Sequence, residues 1–344
     1  MNELKVGVVG TGKMGLLHAG IFNTLEESVL SAVSEKKKII ISGLKKYLPN
    51  VNTYQNYEEM LEKENLDIVV VTTPVFLHKK MIEDSMKHNL NIFVEKPMAI
   101  GGNDCRLILS KPYEKRTMVG YCRRFMGTYN FVKKIIKNST LGNVNYFHSQ
   151  LFVGWVFNQG KGWMFNPETS GGGVIMDLGS HAIDLFHYLF GDIKTVHAFG
   201  GPIFNKEVED YASVNIRFKN VPMGSLQLSW SIRNYRLPEF KIEIHLDKGI
   251  ITVTEKYVNI YSEKETDFIK KGWNTYYKQN LTKNIPIDLG GPEYTLEDLH
   301  FLNCILENNT TLCDFKEAAK TNFVIDKIYS SIKKERVEKI NYEV

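Results

Sequence analysis

Residues 4–15, which read LKVGVVGTGKMG, constrain this chain more than any other stretch. A short apolar run ends on Gly10, and Gly12 and Gly15 follow at the spacing G-x-G-x-x-G. A helical pattern then covers 13–25. In that setting each glycine has its own task. The first permits a tight turn, the second lets backbone approach a pyrophosphate, and the third lets strand and helix pack closely. The helix N-terminus offers free N–H groups and a partial positive charge to an anion. Gly10, Thr11, Gly12, Lys13, Met14 and Gly15 are therefore the predicted cradle of a dinucleotide.

The rest of the first half continues the theme. Strand-like runs at 29–34, 67–73, 90–94 and 117–121 alternate with helical patterns at 35–48, 56–63, 77–88 and 102–110. The run 67–73 is β-branched and nearly continuous, as a parallel strand buried on both faces should be. This alternation predicts an α/β fold with a parallel, Rossmann-type sheet. From residue 123 the pattern changes. A helix is predicted at 127–138, a long strand at 144–156 and a helix at 172–190. Strands follow at 194–204, 211–219, 223–232, 240–247, 250–254 and 257–262, with helices near 295–307 and 315–335. That order predicts a second α/β domain with an open, mainly antiparallel sheet. The expected division is 1–122 and 123–344. The length agrees, because one core rarely grows past about 250–300 residues. Residues 263–293 show little periodicity and are expected to form a long irregular loop.

Composition narrows the function classes. With 43% hydrophobic and 24% charged residues the chain is globular, and a net charge of +4 with scattered basic residues gives no case for nucleic acid. No stretch approaches 18 apolar residues, so no membrane span is expected. The chain opens straight into a strand without a charged and then apolar leader, and its four cysteines form no CxxC. Both points predict a cytoplasmic protein.

Glu35 closes the second strand, 25 residues past Gly10. A carboxylate there accepts bonds from both ribose hydroxyls and repels a 2′-phosphate, which favours NAD. Lys36, Lys37 and Lys38 follow as a solvated helix start, and Lys36 leaves NADP open. Beyond the strand at 90–94 stand Glu95, Lys96 and Pro97. Ligands of open α/β sheets bind past the carboxyl ends of strands, so Lys96 points to where chemistry would occur.

The segment 170–184, SGGGVIMDLGSHAID, carries the second set. On a helix Asp177, His181, Asp184 and Tyr188 share one face. Gly173 and Gly179 inside it signal close approach by something. The group can be structural, can bind a metal, or can move a proton. No Cys or further His joins it at ligand spacing, so no metal is assigned. A histidine, which ordinarily titrates near pH 6.5, suits general acid/base work beside a hydride acceptor.

Taken in order, these motifs resemble the Gfo/Idh/MocA family, the relatives of glucose–fructose oxidoreductase and inositol dehydrogenase. The match includes Gly10 to Gly15, Thr73-Pro74-x-x-x-His78, Glu95-Lys96-Pro97, Gly120-Tyr121-x-Arg123-Arg124-Phe125, and Gly171-Gly172-Gly173 leading to Asp177, Gly179, His181 and Asp184. The resemblance implies hydride transfer between NAD(P) and a secondary alcohol of a sugar, cyclitol or nucleotide-linked sugar. It implies Lys96, Asp177 and His181 as the catalytic set, with the choice of Lys96 or His181 as principal acid left open. Thr73, Pro74, His78, Glu95 and Lys96 would lie along the cofactor and Trp163 near the nicotinamide. The exposed face of the second sheet would make a homodimer or homotetramer.

Trp155, Trp163 and Asn166 fall between the second domain's first strand and the histidine helix, where aromatic faces either stack on a sugar or fill a core. Tyr121 and Arg123 join them as candidate substrate contacts, and Arg123 either holds an anion or ties structure together. Two further classes stay open: a glycoside hydrolase that oxidises C3 transiently with bound NAD, and a non-catalytic NAD(P)-responsive regulator. Retention of Lys96 and His181 counts against the regulator.

Overall fold

The computed structural model describes residues 3–158, 162–221, 223–282 and 284–344. The chain groups into two compact units. One comprises Met1–Cys122 and Asn284–Ala319, with Val344; the other comprises Arg123–Lys283 and Lys320–Glu343.

The first unit holds six strands: β1 (Leu4–Val9), β2 (Ser28–Ser34), β3 (Asn52–Tyr54), β4 (Ile68–Val71), β5 (Asn91–Glu95) and β6 (Thr117–Gly120). They form one sheet in the order 3-2-1-4-5-6, parallel throughout. Helices α1 (Lys13–Phe22), α2 (Lys38–Tyr47), α3 (Tyr57–Lys63), α4 (His78–Lys87) and α5 (Gly102–Leu109) supply the crossovers. All four side chains of β4, Ile-Val-Val-Val, are buried, because a parallel sheet is covered on both faces. The strand order reverses between β1 and β4, and that switch point lies beside the Gly10–Gly15 loop. Dinucleotide sheets bind their ligands at such points.

The second unit is built on nine strands: β7 (Val144–Phe152), β8 (Ile193–Gly201), β9 (Tyr211–Phe218), β10 (Gly224–Ser229), β11 (Glu239–Leu246), β12 (Gly249–Thr254), β13 (Tyr257–Ser262), β14 (Gly272–Tyr277) and β15 (Glu338–Lys339). Their order is 14-13-12-11-7-10-9-8-15. Every pair is antiparallel except β7 with β10. Along most of these strands buried residues alternate with partly or fully exposed ones, as in β9, where Ala212, Val214, Ile216 and Phe218 are buried. Helices α6 (Gly127–Lys137) and α7 (Ser180–Phe190) belong to this unit. The α7 residues Phe186 and Phe190 pack on Phe147 of β7, and Phe186 also meets Phe240 of β11.

Two elements differ from the sequence expectation. The region 263–293 is not wholly irregular, since β14 and a short helix, Lys278–Leu281, lie within it. None of the β14 side chains is buried, so the strand shows no apolar alternation; it is held by its ladder to β13. The second domain is also not continuous from 123 to 344. Residues 284–319, which contain helix α8 (Pro292–Leu306) and the start of helix α9 (Phe315–Lys334), group with the first unit. Specific polar contacts hold them there. Asp298 of α8 meets His18 of α1 at 2.9 Å, and the Thr311 hydroxyl donates to the Thr117 carbonyl at 2.6 Å.

Candidate functional site

In the first unit the three glycines of the cradle do three different things. Gly10 has φ +90, a conformation that suits glycine. A Cβ on Gly15 would sit 1.9 Å from the Gly10 carbonyl oxygen, so helix and turn pack with no room for a side chain. A Cβ on Gly12 would meet nothing within 4 Å, which leaves its backbone open to a ligand. Gly12 also caps α1 without any side-chain hydrogen bond, so the helix terminus presents uncapped N–H groups to an anion. Lys13 and Met14 form its first turn.

Glu35 lies at the rim of this cradle. Its carboxylate accepts from the Thr11 N–H at 3.1 Å, the Thr11 hydroxyl at 2.8 Å and the Lys37 N–H at 3.0 Å. Desolvation pushes its pKa up, but these hydrogen bonds outweigh it and hold the carboxyl below its ordinary value. Glu35 is therefore an ionised acceptor. Lys36 is exposed.

Beyond β4 and β5, His78 ties two loops together. Its ring nitrogens lie 2.8 Å from the Thr73 carbonyl and 2.9 Å from the Pro97 carbonyl. It is buried, and burial pulls its pKa below the ordinary value. Pro74 opens the turn between Thr73 and α4. Thr73 directs its hydroxyl to the Met81 sulfur at 3.3 Å. Glu95 accepts the Lys96 N–H at 3.0 Å and lies 3.2 Å from His18 Nε2, whose other ring nitrogen sits on Asp298. Thus a row of carboxylate, imidazole and carboxylate, buried at Asp298 and His18 and partly buried at Glu95, runs from α8 to the residue that precedes Lys96. Nothing in the sequence reading singled out His18 or Asp298. They lie 280 residues apart, and only folding brings them together.

Burial, the largest influence, pulls the His18 pKa down, yet Asp298 and Glu95 together hold it well above the ordinary value. The imidazolium is thus favoured in the folded state over the unfolded one. Its stabilising contribution is complete below the unfolded pKa of about 6.5 and is lost as pH rises through the higher folded value. Thermal unfolding between about pH 6 and pH 9 checks this. The Tm difference between the native chain and His18→Gln is expected to shrink with rising pH, and a difference that grows would contradict it. Tyr121, which follows β6, is buried.

In the second unit the chain from Gly171 to Phe190 carries the other predicted residues. It does not form one continuous α-helix. Residues Ile175–Gly179 make a π-helical turn that leads into α7. Such turns concentrate at functional sites because they re-aim side chains. From Gly172 to Phe190 every residue is buried except Asp177, His181 and Tyr188, which are partly exposed. Asp177 and His181 are thus four residues apart and both reach the surface. Asp184 does not. Its carboxylate accepts from Arg124 Nε at 2.9 Å and from Arg124 NH2 at 2.8 Å, with both side chains buried. Asp184 is committed to Arg124.

The glycine turn before this segment is shaped by Glu209. Its carboxylate accepts from the Gly173 N–H at 2.9 Å, the Ile175 N–H at 3.0 Å and the Tyr329 hydroxyl at 2.8 Å. A Cβ on Gly172 would lie 1.8 Å from the Tyr329 hydroxyl, and one on Gly173 would lie 2.0 Å from the Glu209 carbonyl. The close approach inferred from Gly173 is therefore the Glu209 backbone. For Gly179 it is Leu228, 3.0 Å from a virtual Cβ. Glu209 had no local signal, because it reaches the turn from 36 residues away.

The remaining candidates spread out. Arg123 donates through Nε and NH2 to Glu255, the shorter bond at 2.7 Å. Trp155 is half-buried, with its ring 6.0 Å from that of buried Trp230. Asn166 caps the short helix Pro167–Ser170 by accepting from the Glu168 N–H at 3.0 Å. Trp163 is exposed, at 41%, and so is Asn166. No helix among the described residues is long and apolar enough to cross a membrane.

Comparison with known proteins gives a consistent result. Residues 4–121 match the family model described as "Oxidoreductase family, NAD-binding Rossmann fold", and residues 129–252 match the GFO/IDH/MocA C-terminal domain. Myo-inositol 2-dehydrogenase of Thermotoga maritima is 23% identical, over 72% of this chain and 74% of its own length. Levoglucosan dehydrogenase of Pseudarthrobacter phenanthrenivorans is 21% identical, over 97% of each chain. The solved structure of a levoglucosan dehydrogenase in complex with NADH and levoglucosan superposes with a TM-score of 0.91. That match has 20% identity and covers 99% of this chain and 100% of that one.

Proposed function

The chain belongs to the Gfo/Idh/MocA family of oxidoreductases, with an NAD-binding Rossmann domain, and from that premise we propose that it oxidises or reduces a secondary alcohol on a sugar or cyclitol. The observation that carries this reading is the exposure pattern of the glycine-led segment. In a run buried from Gly172 to Phe190, the polar pair Asp177 and His181 is left partly exposed four residues apart, with Tyr188 the third partly exposed residue of the run. The cradle of the first unit fits a dinucleotide, because it combines an open Gly12, an uncapped helix terminus and an ionised Glu35.

When bound, NAD supplies a hydride acceptor or donor at C4 of its nicotinamide. The chain's own residues handle the proton. His181 takes the hydroxyl proton at a ring nitrogen in oxidation and returns it in reduction. Lys96 donates a hydrogen bond to the same oxygen and offsets the negative charge that develops there. Asp177 orients His181 or shares its proton. Trp163 offers an exposed ring face for the apolar C–H surface of a sugar, and the two named relatives that act on inositol and levoglucosan support a polyol of that size. Tyr121, Arg123, Trp155 and Asn166 are the further candidate contacts, with Arg123 and Asn166 already engaged in bonds inside the second unit.

The experiment is to incubate purified protein with NAD+ or NADP+ and a panel of inositols, anhydrosugars, free sugars and nucleotide sugars, following formation of reduced nicotinamide. Turnover on a polyol of the panel supports the proposal. Tight cofactor binding without turnover on any member would overturn it, and a glycoside-cleavage assay then separates a hydrolase from a regulator.

The same assay tests Glu35. Replacing it with serine removes a charged acceptor for the ribose hydroxyls, a loss of about 1.5–3 kcal/mol. The kcat/KM for NAD+ is expected to fall by roughly 10–100-fold, while that for NADP+ holds or rises, with exposed Lys36 free to meet a 2′-phosphate. An unchanged ratio of the two cofactors would remove Glu35 from the binding site.

A further inference from the structure

The outward face of the second unit's sheet brings together three side chains that the catalytic reading does not use. His148 lies on β7, and Glu243 and His245 lie on β11. Glu243 is directly opposite His148 in the antiparallel register, and His245 is two residues further along the same face. His148 Nε2 is 3.6 Å from Glu243 Oε1, and His245 Nε2 is 3.2 Å from the same oxygen. One donor atom from each residue lies within 4.8 Å of the others.

We propose that His148, Glu243 and His245 bind a divalent transition-metal ion of borderline softness, of which Zn2+ is the type. The donor set of two imidazoles and one carboxylate suits such a cation and not Mg2+ or Ca2+, which take oxygen ligands. The spacing also fits. Ligands about 2.0–2.1 Å from a tetrahedral Zn2+ stand about 3.3 Å from one another. The two distances to Glu243 fall on either side of that value. The edge between the two histidines closes by rotation of His148, which is 53% exposed and free to turn.

His245 is pre-set for the task. Its ring stacks on Tyr146, the residue opposite it in the register, at 4.2 Å with the planes 12° apart. That contact fixes the ring orientation and lowers the entropy lost when the site closes. Glu243 gains as well, since the cation replaces two imidazoles as its partner and concentrates more charge on it. Three protein ligands leave at least one coordination position for water or another donor. Lys241, two residues before Glu243 on the same face, is the nearest opposing charge along the strand and sets a limit on affinity. The four cysteines are all buried and offer no competing exposed thiolate.

The test uses the full chain with any affinity tag removed and metal stripped by chelator. Titration with Zn2+ in a calorimeter is expected to show one equivalent bound in the micromolar range or tighter. His148→Ala and His245→Ala are each expected to weaken it by more than about tenfold, and Glu243→Gln to weaken it as well. Co2+ is the second probe. Its visible absorption in the native chain is expected to carry the intensity of a tetrahedral site, and to vanish in the double histidine variant. All three residues sit on a partly solvated sheet face, so thermal unfolding in chelator should change only slightly in each variant, through the lost stacking and hydrogen bonds of that face, and serves as the folding control. No Zn2+ bound at micromolar concentrations, or undiminished binding in His148→Ala/His245→Ala, would overturn the proposal. These outcomes are independent of the dehydrogenase assay, because the readout is metal and not turnover.

Discussion

Replacing His181, the proposed base, with alanine is expected to lower kcat by about 10²–10⁴-fold in the polyol assay. The binding of NADH, measured by its fluorescence, is expected to stay within a factor of a few, because the cradle residues Gly10 to Gly15 and Glu35 are left intact. The loss should appear in kcat and kcat/KM alike, the sign of an interaction that matters in the transition state. A general base also leaves a mark on the pH profile. The native enzyme in the oxidative direction should lose rate below the pKa of its base, and the variant should lose that limb. Asp177→Asn is expected to reduce the rate less, since in the proposed mechanism Asp177 assists the base and is not the base itself. Full turnover by the His181 variant would shift the proton chemistry to Lys96.

Replacing Asp184 with alanine is expected to cost about 3–5 kcal/mol of stability in the second unit. Arg124 is 2% exposed and its guanidinium bonds both carboxylate oxygens of Asp184, so the substitution leaves a charge in the interior without its counterion. Asp184 stands one turn from His181 on α7, so displacing Arg124 also disturbs the helix that carries the proposed base. Urea unfolding followed by tryptophan fluorescence measures the cost. The double variant Arg124→Met/Asp184→Leu separates the terms. Without a buried charge to strand, it should recover most of the lost stability. If Asp184→Ala unfolds like the native chain, water or another acceptor must take over Arg124, and the ion pair is not what anchors α7.

Much of the fold was legible because its signals are local. The β-branched run of β4 announces a strand buried on both faces, and the alternation of β9 announces a sheet with one inner face. Where the signal is weak the structure was needed. The strand β3 has three residues, none buried, and β14 has no buried side, so neither carries a hydrophobic period. The π turn at Ile175–Gly179 was hidden for another reason. Nearly every residue from Gly172 to Phe190 is buried, so the run carries no clean hydrophobic period from which an inserted residue could be read. Within the candidate site the glycines were legible for the same reason. Gly10, Gly12 and Gly15 each have the environment their spacing foretold, and Gly173 meets the close neighbour it implied. Asp184, grouped by offset with Asp177 and His181, is instead held by Arg124.

By itself, then, the sequence determined whatever depends on neighbours within one turn or one strand. That includes the cradle and its glycines, the parallel sheet, the change to antiparallel strands after residue 122, and the family. Tertiary structure alone decided which polar groups meet across long separations. His18 finds Asp298, the glycine turn is held by Glu209, and His148 comes to lie opposite Glu243. The physical reason is that a hydrogen bond or metal site is specified by a few ångströms in space. The chain encodes that proximity only through the packing of every element in between, and no periodicity records it.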